Sequence, residues 1–172
     1  MEKPSIDLIF QIAICVENLE ETHENWKEIF QFDERTIVRK CTRDAYENDN
    51  WDGLNYNEQP CTFFHKYCRF SLGGLDIEII EPLDKHPGNP YSDFLLQHGS
   101  GIHHIGVKVG NQPALFRMMR DMGIPRYNYA EMGPVLTDGS RKSCTFYDLR
   151  KQLGAILECG SVVVGPLADD PR

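Results

Sequence analysis

The stretch GSGIHHIGVKVG, residues 99–110, decides the fold, because its second half aligns with an earlier part of the chain. Set below FQIAICV, residues 10–16, the segment HHIGVKV, residues 103–109, places His104 under Gln11. The apolar positions also coincide: Ile12, Ile14 and Val16 lie over Ile105, Val107 and Val109. Apolar residues at every second position are typical of a strand. The alignment therefore predicts two equivalent strands and an internal repeat.

A helical pattern follows each of the two strands. In the first pattern Asn18 is the predicted N-cap, and in the second Pro113 suits the first turn and Gly123 the end of the helix. The apolar stripes consist of Leu19, Trp26, Ile29 and Phe30 in the first helix and of Leu115, Phe116, Met119 and Met122 in the second. Each half of the repeat is therefore predicted to begin with a strand and a helix.

The two halves also end alike. GGLDIEII, residues 73–80, aligns with LGAILECG, residues 153–160, so that Glu78 lies over Glu158. Each half is predicted to be a βαβββ module, and the fold class to be α+β with one curved mixed sheet. We place the modules at about residues 6–82 and 101–162 of a single domain, with a linker at 83–100.

Two segments depart from the repeat. The linker contains several Pro and Gly residues, and Ser92 is predicted to cap a short helix through Phe94, Leu95 and Leu96. Residues 43–61 are polar and rich in Asn and Asp, and they account for the greater length of the first module. This composition predicts an inserted loop.

Composition narrows the class of protein. The net charge of −8 and the pI near 5.2 argue against a nucleic-acid partner, which would favour a basic surface. The start, MEKPSIDLIF, does not resemble a signal peptide, and no apolar run approaches the roughly 20 residues that span a bilayer. The six cysteines form no C-x-x-C pair and are expected to be reduced thiols. We therefore expect a cytosolic protein that does not bind membranes.

Four polar residues occupy repeat-equivalent positions that can face the centre of such a sheet: Gln11, Glu78, His104 and Glu158. One imidazole nitrogen and three oxygen donors suit a divalent ion in octahedral geometry with open water positions. Co²⁺, Ni²⁺, Mn²⁺, Mg²⁺ and Zn²⁺ are candidates. Glu158 lies in the apolar segment AILEC, where an unpaired carboxylate costs several kcal/mol, so a cation is its natural partner.

Each of these residues also has a purely structural interpretation. Gln11 could bond neighbouring backbone, Glu78 could be an exposed strand residue, and a strand histidine is often part of the core. For the pair His103 and His104, successive strand residues point to opposite faces. We expect His104 to face the interior as a ligand and His103 to face the other surface of the sheet.

On these motifs the chain resembles the vicinal oxygen chelate superfamily, also called the glyoxalase/bleomycin resistance/dioxygenase fold, over essentially its whole length. The segment IEIIEPLD…SDFLLQHGSGIHHIGVKV is most similar to the methylmalonyl-CoA epimerase branch. The resemblance implies two paired βαβββ modules around a central metal site. It also implies metal ligands at Gln11, Glu78, His104 and Glu158, and a homodimer.

One position departs from the epimerase pattern. Such epimerases usually carry His at the position of Gln11 and often Gln at that of Glu78. The combination found here is instead similar to that of animal-type glyoxalase I. A Gln carbonyl oxygen is still a competent ligand, so the departure bears on the substrate more than on the metal.

The chemistry that this site predicts is removal of a proton next to a carbonyl group. A divalent ion would stabilise the enolate, Glu158 is the first candidate for the base, and Glu78 is the second acid/base. His65 and Tyr67 are weaker candidates for the second role. We expect an epimerase or racemase acting on a small carbonyl or thioester substrate, such as a CoA thioester or an isoflavanone.

Two alternatives remain open. A glyoxalase I-like lyase, which forms lactoylglutathione, fits the ligand set. A metal-free binding protein of the bleomycin-resistance type fits the fold. Fe(II) extradiol dioxygenases and fosfomycin-modifying thiol transferases are disfavoured because they use two histidines and one carboxylate.

Overall fold

A computed structural model describes residues 3–48, 52–132, 137 and 141–164. Its strands are β1 Ile6–Cys15, β2 Val38–Cys41, β3 Asp52–Tyr56, β4 Gln59–Pro60, β5 His65–Leu72, β6 Leu75–Pro82, β7 Gly101–Val109, β8 Asn128–Met132, β9 Arg141–Leu149 and β10 Ala155–Val164. Its α-helices are α1 Leu19–Ile29, α2 Thr42–Asn48, α3 Pro90–His98, α4 Gln112–Asp121 and α5 Arg150–Leu153, with one 3-10 turn at Glu34–Thr36. The predicted α+β class is confirmed.

All ten strands belong to one curved mixed sheet with the order β2-β5-β6-β1-β7-β10-β9-β8-β3-β4. At its centre β1 runs antiparallel to β7, the two strands with which the sequence alignment began. The strands β6 and β10 flank this pair, each parallel to its neighbour. The closing strands of the two halves therefore lie in equivalent places, as the alignment predicts.

The register confirms the alignment residue by residue. Gln11 lies opposite Gly106 and Ala13 lies opposite His104, which are equivalent pairs when Gln11 is aligned with His104. In the flanking strands, Ala13 is paired with Glu78 and Gly106 with Glu158. The four predicted ligands therefore occupy symmetry-related positions about the central strand pair.

Near the cavity, each strand of the central pair contains a bulge residue, Phe10 in β1 and His103 in β7; a further shift at Asp7 lies near the start of β1. The register steps from Ile9–Val107 to Gln11–Gly106 at the first bulge and from Ala13–His104 to Ile14–Ile102 at the second. A bulge adds one residue to one strand and interrupts the alternation of side chains. The two bulges are equivalent in the alignment, because Phe10 precedes Gln11 as His103 precedes His104.

The convex face of the sheet is covered by α1 and α4. Leu19 and the partly buried Trp26 pack on one core cluster with Phe70, and Leu115 and Met119 form part of another. Asn18 caps α1, and Gly123 ends α4 with φ +67°, both as predicted.

The predicted stripes are wrong at three positions. Ile29, Phe30 and Met122 are exposed, by 70%, 53% and 56%. At 100° per residue, Ile29 lies about 80° away from Leu19 and about 60° from Trp26 around the helix axis. Phe30 follows the last residue of α1 and has an extended backbone, so helical spacing no longer applies to it. Met122 is the C-cap of α4 and is exposed at the end of the helix. His23 instead fills the inner face of α1.

The linker helix α3 is longer than predicted and begins earlier. Its N-cap is Asn89, whose side chain accepts a hydrogen bond from the backbone N–H of Ser92. Ser92 is therefore not the cap but a buried residue inside the helix, and Leu96 is 62% exposed. Tyr91 and Phe94 pack with Ala13 and other residues on the concave side of the sheet.

The predicted loop at residues 43–61 is wrong for most of the segment. It forms part of α2 and the hairpin β3–β4, and β3 pairs with β8 of the second half of the chain. The turn consists of Asn57 and Glu58, both with positive φ. Polar composition misled the prediction, because a short hairpin at the edge of a sheet buries only part of its surface, here Leu54 and Tyr56.

Within the described ranges, none of the helices is both long and apolar enough to span a membrane.

Candidate active site

The concave face of the sheet encloses a cavity of about 230 Å³. Much of its wall is apolar or aromatic and includes Phe10, Leu54, Phe63, Tyr91 and Phe146. Leu54 comes from the inserted hairpin and Phe63 follows it, so the insertion helps to close the cavity. Apolar walls around polar side chains lower the local dielectric and strengthen the electrostatic interactions between them.

All four predicted ligands line this cavity: Gln11 from β1, Glu78 from β6, His104 from β7 and Glu158 from β10. Gln11 and His104 are almost fully buried, with 3% and 1% of their surface exposed. The four strands are neighbours at the centre of the sheet, which is why residues far apart in sequence meet here.

Glu158 is held by two donors. His104 Nε2 lies 3.1 Å from Glu158 Oε2, and the thiol of Cys144 donates to Oε1 at 2.8 Å. Burial on its own would raise the pKa of Glu158, but these contacts, together with the charge of Arg69, outweigh it and lower the pKa. Glu158 is therefore ionised at neutral pH.

Glu78 is in the opposite state. Burial, with repulsion from Glu158 as the second cause, raises the pKa of Glu78 to about 8. A hydrogen bond with Gln11 and the charge of Arg69 offset only part of this. The cavity thus holds one carboxylate and one carboxylic acid at equivalent positions of the two halves.

The donor set has the chemistry of a divalent-ion site. Among the residues that the structure describes, no three His, Cys, Asp or Glu side chains are drawn together closely enough to form a metal cluster. Three oxygen-bearing side chains and one imidazole nevertheless share one small cavity, and two of them are carboxyl groups that burial makes costly to ionise together. A cation would relieve that cost, so these residues fit the ion that the fold implies.

The prediction that His103 faces the opposite surface is wrong. Its ring contacts Tyr91, Phe94 and Tyr127, which lie on the concave side, and its Nδ1 is 2.9 Å from His104 Nδ1. The bulge at His103 is the physical reason, because it breaks the alternation on which the prediction rested. His103 lies behind His104 and does not itself line the cavity.

The two weaker candidates also reach the cavity. His65 and Tyr67 of β5 lie in its wall, and the His65 ring packs against Tyr91 in a tilted arrangement with centroids 4.6 Å apart. Burial is the main cause that lowers the pKa of His65 to about 3, so this imidazole is neutral. Its Nδ1 is buried and has no hydrogen-bond partner.

Arg69 and Cys144 were missed by the sequence analysis. Arg69 lies opposite Glu78 in the sheet and is the one Lys or Arg among the described residues that line the cavity. Strand alternation could have found it, because His65, Tyr67 and Arg69 share one face of β5. Cys144 is one of the six cysteines that are expected to be reduced thiols, and no sequence signal distinguishes it from the others.

Comparison with known proteins gives one family and one fold. Residues 10–142 match the model of the Glyoxalase/Bleomycin resistance protein/Dioxygenase superfamily. Among curated proteins, no significant match is found.

Similar solved structures include a hypothetical protein from Bacillus halodurans, with 18% identity, a TM-score of 0.52 and coverage of 92% of this chain and 94% of that chain. Methylmalonyl-CoA epimerase from Mycobacterium tuberculosis has 16% identity, a TM-score of 0.50 and coverage of 96% and 93%. A Streptomyces coelicolor methylmalonyl-CoA epimerase variant in complex with 2-nitronate-propionyl-CoA has 17% identity, a TM-score of 0.52 and coverage of 97% and 100%. At these identities the likeness is one of fold.

Proposed function

Because the chain belongs to the glyoxalase/bleomycin resistance protein/dioxygenase superfamily, we propose that it is a metal-dependent epimerase or racemase. It would remove and return the proton on a carbon next to a carbonyl group. The substrate would be a small acyl compound, either a CoA thioester or another carbonyl compound such as an isoflavanone.

One observation carries this proposal: two carboxyl groups at repeat-equivalent positions line the same cavity. Inversion at carbon needs one group to take the proton from one side and another to deliver it on the other side. Glu78 and Glu158 lie on strands that flank the central pair from its two sides, which supports giving them the two roles.

Each polar residue of the cavity has a proposed role in the reaction. Glu158, held in place by His104 and Cys144, is the proposed base, and Glu78 is the proposed second acid/base. Gln11, Glu78, His104 and Glu158 are the residues that would hold a divalent ion. When bound, the ion would supply positive charge beside the carbonyl oxygen, where negative charge develops as the proton leaves.

The cavity favours a small reacting group. At about 230 Å³ it lies below the range of roughly 300–1,000 Å³ that encloses drug-sized ligands, so it would hold an acyl portion and leave the rest of a thioester outside. The structural neighbours named as methylmalonyl-CoA epimerases support this substrate class. Aromatic walls would also suit a flat ring such as that of an isoflavanone.

Exchange with solvent tests the reaction. The protein, supplied in turn with each candidate ion, is incubated with single enantiomers of candidate substrates in D₂O. We expect deuterium at the α-carbon and loss of optical purity with at least one substrate. Glu158→Gln and Glu78→Gln should each lower the rate at least about 100-fold, as removal of an acid/base group does.

The matched control is Glu24→Gln, which changes an exposed glutamate of α1 far from the cavity and should leave the rate unchanged. A wild-type protein that incorporates no deuterium with any substrate and any ion would contradict the proposal. So would a Glu158→Gln variant as active as the control.

A glyoxalase I-like activity is the second candidate, favoured by the donor set Gln11, Glu78, His104 and Glu158. Formation of lactoylglutathione from methylglyoxal and glutathione, followed by absorbance, distinguishes it from the epimerase. Elemental analysis of the purified protein separates both from a metal-free binding protein. A homodimer and a cytosolic location are part of the same proposal, and the mass in solution tests the first.

A further inference from the structure

We propose that His103 is a positioning residue that fixes the orientation and protonated nitrogen of the His104 ring. The observation is a contact of 2.9 Å between the Nδ1 atoms of the two histidines, buried beside the cavity. The inference rests on the proposed function in one respect only, namely that His104 is a working residue of the site.

The bulge is what makes the contact possible. In a regular strand the two rings would lie on opposite faces, but the extra residue in β7 turns His103 to the concave side. Tyr91 and Phe94 then hold the His103 ring, with ring centroids 4.9 and 5.0 Å away. Its position is therefore fixed by packing before any hydrogen bond is considered.

The equivalent bulge in the first half of the chain offers an internal comparison. There the bulge residue is Phe10 and the cavity residue is Gln11. An amide has a fixed donor and a fixed acceptor, whereas a neutral imidazole can carry its proton on either nitrogen. In the first half, Gln11 needs no partner to choose its protonated atom, and the bulge residue Phe10 is apolar. In the second half, His104 does need one, and the bulge residue His103 can provide it.

The hydrogen bonds determine which ring nitrogen of His104 carries the proton. Two facing Nδ1 atoms can bond only if one carries a proton and the other does not. When a neutral His104 ring donates its Nε2–H to Glu158, its Nδ1 is an acceptor, and His103 Nδ1–H is the donor. With 2% and 1% of their surface exposed, His103 and His104 have no ready access to water as a substitute partner.

The two histidines can also remain hydrogen-bonded to each other when His104 binds an ion. An imidazole that binds an ion through Nε2 must carry its proton on Nδ1, and orienting partners of ligand histidines accept that proton. His103 can change from donor to acceptor if its own proton moves to Nε2, and the backbone of Pro90 is a hydrogen-bond partner near this ring. No apolar residue at this position could serve in either state.

The first test uses protein without added ions and labelled with ¹⁵N at histidine. A hydrogen bond between two nitrogens gives a measurable coupling across it, so we expect a coupling between the two Nδ1 nuclei in the wild type. We also expect the His104 Nε2 proton to exchange with solvent at least tenfold faster in His103→Phe. His103→Asn, which keeps a donor and an acceptor, should stay within threefold of the wild type.

The second test is the affinity for Co²⁺, measured by calorimetry. His103→Phe should bind it about tenfold to a hundredfold more weakly, the usual effect of losing an orienting partner, and His103→Asn should be close to the wild type. His86→Asn, at an exposed histidine in the linker, is the matched control and should change none of these readings. His103→Leu replaces the Phe variant should that one fail to fold.

The outcomes are separable. Absence of the coupling in the wild type, or equal His104 proton exchange in the wild type and in His103→Phe, overturns the proposal. Equal Co²⁺ affinity in these two proteins overturns it as well. A wild type that binds no Co²⁺ contradicts the metal site of the proposed function, and the ion-free readings still decide the role of His103.

Discussion

At the scale of single residues, burial decides the charge of the histidines. The pKa values of His23, His65 and His103 are all lowered, in each case first by burial, which disfavours the charged imidazolium. His23 is the example farthest from the cavity. Its Nδ1 accepts a hydrogen bond from the Arg39 guanidinium at 2.7 Å, so a second proton there would face a positive charge.

We therefore expect His23 to make the free energy of unfolding fall as the pH is lowered. The unfolded chain takes up a proton at His23 below the ordinary pKa near 6.5, whereas the folded chain, with its lowered pKa, does not. The contribution of neutral His23 is present above that pH and is lost as the pH falls toward the folded pKa. Glu24 and Lys27 also face the ring. Glu24 raises the pKa of His23 and Lys27 lowers it, and each effect is smaller than that of burial.

The measurement is urea denaturation at pH 7.5 and 5.5. His23→Phe keeps the ring contacts with Phe32 and Phe70 but does not titrate. The wild type should lose more unfolding free energy between these pH values than this variant. Equal losses in the two proteins would show that His23 is not the source of the dependence.

At the scale of the elements, the turn of the hairpin β3–β4 contains a residue whose backbone conformation is energetically unfavourable. Both residues of its turn, Asn57 and Glu58, have positive φ, at 51° and 61°. Two-residue hairpins favour such turns because their twist matches that of the strands. Asn adopts this conformation readily, whereas Glu does so at a cost of about 1 kcal/mol.

Glu58→Gly should therefore stabilise the protein by about 0.5–1 kcal/mol, because glycine adopts positive φ without strain. Denaturant unfolding at neutral pH measures the change. The same substitution at Glu24, in the middle of α1, should instead cost about 1 kcal/mol, since glycine disfavours a helix interior. A destabilised Glu58→Gly variant would contradict the assigned turn.

The elements also show how far sequence reasoning reaches. The repeat, the central strand pair and the cavity positions of Gln11, Glu78, His104 and Glu158 follow from alternation and internal alignment, which are local signals. The hairpin at residues 52–60 does not, because its partner β8 lies more than sixty residues away and only that pairing makes a polar segment a strand. The face of the sheet on which His103 lies was predicted wrongly for a related reason. A bulge arises from the pairing of two strands, so the sequence of one strand does not reveal it.

At the scale of the whole molecule, the β1–β7 seam joins the two halves, and Gly106 lies where the two strands pack closely. A Cβ atom on Gly106 would lie 2.8 Å from the Phe10 ring and 2.9 Å from Gln11 Cβ. Gln11 Cβ is fixed to the backbone of β1, so the strands would have to separate. The equivalent residue of the first half, Ala13, lies opposite His104 and carries its Cβ without exposure to solvent.

Gly106→Ala should destabilise the whole protein by about 1–3 kcal/mol, the usual cost of overpacking a core. Because the sheet is continuous, unfolding followed by circular dichroism and by tryptophan fluorescence should remain a single transition at a lower urea concentration. Gly101→Ala, where the nearest atom is 4.0 Å from the new Cβ, is the matched control and should change stability by less than about 0.5 kcal/mol. Two separate transitions in the Gly106 variant would contradict a single cooperative unit.

The order of the strands has one more consequence, at the two ends of the sheet. One end is β4, which has two residues and includes Pro60, a residue without a backbone N–H. The other is β2, four residues long with Arg39 and Lys40 exposed. Short, charged or proline-bearing edges are poor templates for a strand from another molecule. These edges therefore disfavour aggregation by pairing of strands from different molecules. A second copy of the chain would be expected to dock on another surface.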